Sequence, residues 1–457
     1  MPLRFDGIPV RDDACMRPVI DKRAAFIIDT LHRNGHRALV VGGSIRDSLM
    51  NRVPSDMDIV TNAPENDIFR LFEKERVKKV GRQFSLFLVN GIEVACCRGD
   101  EESGGFPLND LGMRDFTINS MAFDPACGEW FDPFSGREDL NRGIVRFTGD
   151  PEKRIFEDPL RIVRACRFAA RLDGSIEPAS FDAVRRHAYL LKEQVAGERI
   201  REEILKAMDA AKPSVFFENL YRAGGLKSVL PCLDRCGELD GGPHHAETVF
   251  EHCMLTGNAV SRKYPLLRLA AFLHDTGKYD AAVQGEKGVT FAGHEKKADP
   301  VLADLKRLAF SNRQIAYILS VIRVHMRPLT PDTSEKAVRR ILTFLDAHNV
   351  SYRDFMRIRI ADKKANLAKE PYTLHDIRVR FEKLKKASEE AEEGFGLKSL
   401  AVGGEDVMRI LEIPEGPRVG EALAFLLEKV VDDPSLNTRA RLETLLQERF
   451  TIENRFA

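Results

Sequence analysis

The chain lacks any excess of charge: 70 Lys and Arg balance 70 Asp and Glu in 457 residues. A nucleic-acid binder often carries a basic surplus, so any such surface here is local. It also lacks a CxxC pair. The eight cysteines are scattered, and the adjacent Cys96 and Cys97 are poorly placed to bridge each other. That pattern reads as a reduced, cytoplasmic protein. No run of 18 or more apolar residues is present, which argues against a membrane span. The opening MPLRFDGIPVRDDAC lacks the apolar stretch a signal peptide needs. No repeat or low-complexity tract stands out; the charged Lys383–Glu393 stretch comes nearest.

The length allows two to four domains, and the pattern divides into four regions. Residues 20–150 mix short β-branched strands, helices and Gly/Pro turns, an α/β head. Residues 151–238 turn helical, with apolar positions three and four apart. Residues 239–370 are helical again and hold seven of the eleven histidines. Residues 371–457 form a charged, helix-rich tail punctuated by Pro414 and Pro417. The fold class expected is α+β.

The most informative segment is Val41-Gly42-Gly43-Ser44-Ile45-Arg46-Asp47, followed by Asp56-Met57-Asp58. A β-branched run enters the glycine pair, and an alternating run from Asp56 to Val60 follows. This predicts strand, turn, helix start, then a second strand carrying both carboxylates on one face. Two carboxylates so placed repel unless a cation sits between them. Mg²⁺ held by aspartates, with phosphate oxygens completing its shell, is the usual solution for nucleotidyl transfer. The glycines admit close backbone approach to a triphosphate, and Ser44 and Arg46 add donors. A bare DxD is most often a surface turn; the preceding GGSxRD argues otherwise.

Three further groups carry chemistry. Met113-Arg114-Asp115 follows the polar loop Gly99–Leu111. Arg114 could reach a phosphate or sugar, and Asp115 a ribose hydroxyl or the arginine itself. Asn119 nearby reads as a buried helix start. In Phe156-Glu157-Asp158-Pro159-Leu160-Arg161, Asp158 before Pro159 suits a helix N-cap. Arg161, one turn on, shares its face, and the pair could offer acceptor and donors to a base edge. Arg161, Arg164, Arg167 and Arg171 step along one helix with no acid until Asp173, which favours a phosphate or nucleic-acid surface over a solvated face. Finally, His274-Asp275 closes the apolar helix Leu266–Leu273, with His252, His294, His325 and Asp362 elsewhere. A single histidine is usually structural; a His-Asp doublet flanked by others suits a divalent metal.

Together GGSIRD, Asp56/Asp58, MRDFTIN, EDPLRIVRACRFAAR and GERIREEILK resemble the ordered motifs of class II tRNA nucleotidyltransferases and bacterial poly(A) polymerases, over residues 38–235. The region around His274-Asp275 resembles the HD domain fused to many members, and Gly403–Asn437 resembles their C-terminal part. The resemblance implies a polymerase-β-like head, a helical neck and body, an HD domain and a helical tail. Asp56 and Asp58 would hold two Mg²⁺. Gly42, Gly43, Ser44 and Arg46 would hold the triphosphate, and Arg114 and Asp115 the ribose. Glu157, Asp158 and Arg161 resemble the amino-acid template that selects CTP and ATP, with Arg164 and Arg167 on the same nucleotide-binding helix. Glu198, Arg199 and Glu203 match a motif that supports that helix.

The reaction implied is attack of the tRNA 3′-hydroxyl on the α-phosphate, releasing pyrophosphate. In the HD region, His252, His274, Asp275 and Asp362 would bind Ni²⁺, Mn²⁺ or Mg²⁺, with His294 and His325 serving substrate or a second ion. The partners implied are tRNA, CTP and ATP, without a membrane; a homodimer is compatible. Two features depart from the family. Met113 stands where an arginine is usual, and the loop between Arg98 and Asp115 is short, which leaves CCA and CC addition both open. In Gly81-Arg82-Gln83-Phe84 the residue before the phenylalanine is Gln83, not the basic residue typical of poly(A) polymerases. The alternatives are poly(A) polymerase and a metal-dependent phosphohydrolase acting through the HD region alone.

Overall fold

The protein is described here by a computed structural model covering residues 18–52, 54, 56–80, 85–96, 105–243, 245–286, 288–390 and 396–451. Gly81–Phe84, Arg98, the first half of the Gly99–Leu111 loop and His244 lie outside these residues. The chain divides into two compact units, Met1–Val229 and Leu230–Ala457.

The first unit is built on a mixed seven-stranded sheet. In chain order its strands are β1 (Ala38–Val41), β2 (Asp58–Thr61), β3 (Val77–Val80), β4 (Leu86–Val89), β5 (Ile92–Cys96), β6 (Ala122–Asp124) and β7 (Glu129–Phe131). Their order across the sheet is β3-β4-β5-β2-β1-β6-β7. β2 and β5 run parallel, and the other neighbours antiparallel. Every residue of β1 is buried, as suits a central strand covered on both faces. Leu39, Val41, Val60, Leu111 and Ala122 form one cluster against Phe106, Phe131 and Phe134. On the other side the helix Lys22–Arg33 contributes buried Ile27, Ile28 and Leu31. Helices follow the sheet from Pro151 onward. The helix Leu160–Leu172 packs against Gly197–Ala207 and Ser214–Arg222.

Three local expectations change. The second strand starts at Asp58, so Asp56 stands on the extended segment before it. Thr117–Asn119 makes a single 3-10 turn rather than a helix, because the chain must reach β6 by Ala122. The latter half of the expected loop is a short helix, Leu108–Gly112.

The second unit is largely helical. Val249–Ala259, Pro265–Leu273, Asn312–Val324 and Tyr352–Ala365 pack together. Their starts are written in the sequence: Thr248 with Glu251, and Ser311 with Gln314, form reciprocal capping boxes. Ser351 caps the last of the four. Gly257 lets two of these helices close, since a Cβ there would stand 2.4 Å from the Phe272 ring. Residues Leu400 to Leu446 bury a separate apolar cluster within the tail. Among the described residues, no helix is long and apolar enough to cross a membrane.

Candidate functional site

β1 ends where the site begins. Gly42 follows Val41 with φ +72°, ψ −132°, a conformation that only glycine adopts without strain. A Cβ there would also meet Arg114 at 2.8 Å and Asp58 Oδ2 at 3.4 Å. Antiparallel pairing sets Asp58 opposite Val41, and parallel pairing sets Glu93 beside Asp58. Asp56, Asp58 and Glu93 therefore line one cavity of about 800 Å³ with Gly42, Gly43 and Ser44. Burial raises the Asp58 pKa; Arg114 opposes the rise, while Glu93 and Asp56 add to it. An acidic group so crowded is one that a divalent cation relieves. Glu93 was missed in the sequence; its only signal is an acid between Ile92 and Val94 in a strand.

The same cavity also gathers cations: Arg46, Arg114, Arg164, Arg167, Arg171 and Lys206 line it. Burial pushes Arg46 down to about 10, with Arg171 and Arg167 adding repulsion that Asp47 offsets. Arg46 Nε donates to Asp47 at 3.1 Å and Nη1 to Asn119 Oδ1 at 2.5 Å. Ser44 also lines the cavity; it is buried, and its Oγ donates to the Val41 carbonyl at 3.0 Å. Arg114 leans across Gly42 while its Nε donates to Asp110 at 2.8 Å.

The arginines of the helix Leu160–Leu172 do not form a bare basic face. Each meets an acid, and for Arg164, Arg167 and Arg171 that acid comes from another part of the chain. Arg161 pairs with Glu157 at 2.8 Å, Arg164 with Asp115, Arg167 with Glu203, and Arg171 with Asp47 at 3.0 Å. The acids lie at positions that the run from Asp158 to Asp173 does not show. Asp115 is buried and accepts from Arg164 Nε at 2.8 Å and from Asn119 at 2.9 Å. Burial would raise its pKa, but Arg164 and Asn119 hold it below the ordinary carboxylate range.

Glu157, Asp158 and Arg161 are adjacent but do not line the cavity. Pro159, not Asp158, takes the N-cap position of the helix Leu160–Leu172; Asp158 ends the preceding helix, accepts the Leu160 N–H at 3.2 Å, and is held by both Arg199 Nη atoms at 3.1 and 2.8 Å. Arg161 also donates to the Arg154 carbonyl at 2.9 Å. Asp158 and Arg161 thus turn to different partners. Glu203 and Arg199 reach this helix, whereas Glu198 is exposed.

In the second unit the predicted residues converge. His252 Nε2 lies 3.1 Å from Asp362 and 3.8 Å from Asp275 Oδ2. His274 Nε2 lies 3.4 Å from Asp275 Oδ2. His294 and His325 approach Asp275 Oδ1 at 3.0 and 3.3 Å. Their other ring nitrogens are tied outward: His274 Nδ1 to the Ala271 carbonyl, His294 to Phe291 and His325 to Ile322, at 2.6–2.9 Å. That arrangement turns each Nε2 toward the centre. His274 Nε2 is buried and makes no hydrogen bond. Burial pushes His274 down to about 3, so it is neutral at pH 7 and able to ligate. Lys278, 2.8 Å from Asp275, and Glu247 are members that sequence reading missed.

A polymerase-β-like head that gathers carboxylates beside a glycine turn, joined to a helical body, defines a nucleotidyltransferase. Comparison with known proteins narrows the class. Residues 38–146 match the Poly A polymerase head domain, and 175–236 the probable RNA and SrmB-binding site of polymerase A. The Multifunctional CCA protein of Xanthomonas oryzae pv. oryzae is 30% identical over 421 residues, covering 84% of this chain and 95% of the relative. Poly(A) polymerase I of Salmonella typhi is 33% identical over 302 residues, 58% of this chain and 64% of that one. In fold, the chain is similar to the Bacillus stearothermophilus CCA-adding enzyme solved with CTP: TM-score 0.68, 23% identity, 95% of this chain and 99% of that one. The chain belongs to the family of CCA-adding nucleotidyltransferases and bacterial poly(A) polymerases.

Proposed function

We propose that this protein transfers nucleotides from CTP and ATP to the 3′-hydroxyl of tRNA without a nucleic-acid template. The observation that carries the reading is the register Val41–Asp58–Glu93, which sets carboxylates against the glycine turn inside an arginine-lined cavity. Asp56 and Asp58 would hold Mg²⁺, which when bound lowers the pKa of the attacking hydroxyl and stabilises the leaving pyrophosphate. Arg46, Arg114, Arg164, Arg167 and Arg171 neutralise the triphosphate, and its charge in turn relieves their mutual repulsion. Asp115 orients Arg164. Glu157, Asp158 and Arg161 select the base, Asp158 exchanging Arg199 and Arg161 exchanging Glu157 for base-edge contacts. Paired hydrogen bonds from these side chains would favour cytosine and adenine.

The test is incubation of a tRNA transcript ending before the CCA with CTP and ATP, separately and together, with sequencing of the 3′ ends. Products ending in CC or CCA support the reading. A homopolymeric A tail on any RNA would place the chain with the poly(A) polymerases instead.

A second reading concerns the histidine cluster, carried by the convergence of six side chains on one centre. His252, His274, Asp275 and Asp362 bind a divalent ion, Ni²⁺, Mn²⁺ or Mg²⁺, in an HD-type site; His294 and His325 serve substrate or a second ion. The neutral His274 Nε2, buried beside Asp275 without a hydrogen bond, is the feature that fits a metal. Metal analysis of wild type and Asp275→Ala tests it. Equal metal content, without phosphatase activity on 2′,3′-cyclic or monoester substrates in either, would leave a structural helical domain.

A further inference from the structure

Behind His252, on the Nδ1 side of the ring and not the Nε2 side that faces the cluster, lies a carboxylate. Glu247 is buried, and its Oε1 accepts from His252 Nδ1 at 2.9 Å and from His245 Nδ1 at 2.8 Å. Its Oε2 accepts from the backbone N–H groups of Ala246 and Leu367, each at 3.1 Å. Glu247 thus ties the start of the helix Val249–Ala259, which carries His252, to the chain just past Tyr352–Ala365, which carries Asp362. The other rings of the cluster end on neutral backbone carbonyls: His274 on Ala271, His294 on Phe291, His325 on Ile322. His252 alone of these four backs onto a carboxylate.

We propose that Glu247 is a positioning residue for a divalent cation at this centre. It holds the His252 proton on Nδ1, aims the Nε2 lone pair at the ion and strengthens that ring as a ligand. His245 shares the same carboxylate oxygen, its ring edge-on to His252 with centroids 4.6 Å apart. This inference rests on the metal reading of the cluster and adds to it a residue that never touches the ion.

The experiment uses the full chain carrying Asp56→Asn and Asp58→Asn, so that the head does not compete for the probe. The protein is stripped with EDTA and titrated with Mn²⁺, with free Mn²⁺ read by EPR. Glu247→Gln is expected to weaken binding by about 10–100-fold, and Glu247→Asp by less, since the charge remains. Added to His252→Ala, Glu247→Gln is expected to cause no further loss, because it acts through that ring. Wild-type affinity in both Glu247 variants overturns the positioning role and leaves the metal reading intact. An equal loss with and without His252 also overturns it, as a purely structural effect. If the parent binds no Mn²⁺, the metal reading fails and takes this inference with it. Should Glu247→Gln fail to fold by circular dichroism, Glu247→Asp carries the decision.

Discussion

Removing the Glu203 carboxylate strands a buried guanidinium. Glu203 is 2% exposed and its partner Arg167 is 7% exposed. Burial already holds Arg167 below the ordinary guanidinium range, and Glu203 is the main charge opposing that shift. Arg164 also lies 3.8 Å from Glu203, and Lys206 3.4 Å. Lys206 is largely exposed, so its share is within about 1 kcal/mol. Taking one partner from a buried ion pair costs about 3–5 kcal/mol. Glu203→Ala is therefore expected to destabilise the first unit by about that amount. Arg167→Met with Glu203→Leu removes both charges at similar volume and is expected to stay within about 1.5 kcal/mol of wild type. The single tryptophan, Trp130, lies in this unit. Urea unfolding followed by its fluorescence thus reports the unit separately from the rest. A loss under about 1 kcal/mol in Glu203→Ala, or a double variant as damaged as the single, would show that Glu203 does not compensate a buried charge on Arg167.

Asp158→Ala and Arg161→Ala are expected to raise misincorporation of UTP and GTP by roughly ten-fold or more, since a bidentate base contact is worth about 1–3 kcal/mol; unchanged ratios would leave Asp158 as a helix cap alone. Asp115, held below the ordinary carboxylate range, contributes stability above its unfolded pKa and loses it as pH falls through the lower folded value. The stability gap between wild type and Asp115→Asn should therefore hold from pH 7 to about 5 and close only below about 4, as measured by urea midpoints across that range. Burial pushes the thiols of Cys166 and Cys236 up to about 12, and those of Cys232 and Cys253 well above the usual value. All four should react with Ellman's reagent at pH 8 only after denaturation, whereas exposed Cys127 reacts in the folded protein.

The parts of the site legible in the sequence are those written in neighbouring residues. Gly42 announces a turn at a strand end, and the aspartates a short way on announce a cation. The histidines could be grouped because that side chain, gathered in number on helices, has few other uses. What escaped the sequence is what distant pairing creates. Glu93 joins Asp58 only because β2 and β5 run parallel, and nothing local fixes that register. The helix of Arg161, Arg164, Arg167 and Arg171 looked uncompensated because its acids, Asp115, Glu203 and Asp47, come from other elements. The contact of the Ser44 hydroxyl with the Val41 carbonyl is likewise not visible in the sequence. Glu247 was silent for the same reason as Glu93: its meaning lies in His252 and Leu367 together.

The central claim is that Asp56 and Asp58 carry nucleotidyl transfer to tRNA. Its most direct test compares wild type with Asp58→Ala on a tRNA transcript lacking CCA, with labelled CTP, ATP and saturating Mg²⁺, alongside a tRNA-binding assay. Incorporation is expected from the wild type and none from the variant, with unchanged tRNA binding by both. Near-normal incorporation by Asp58→Ala would contradict it.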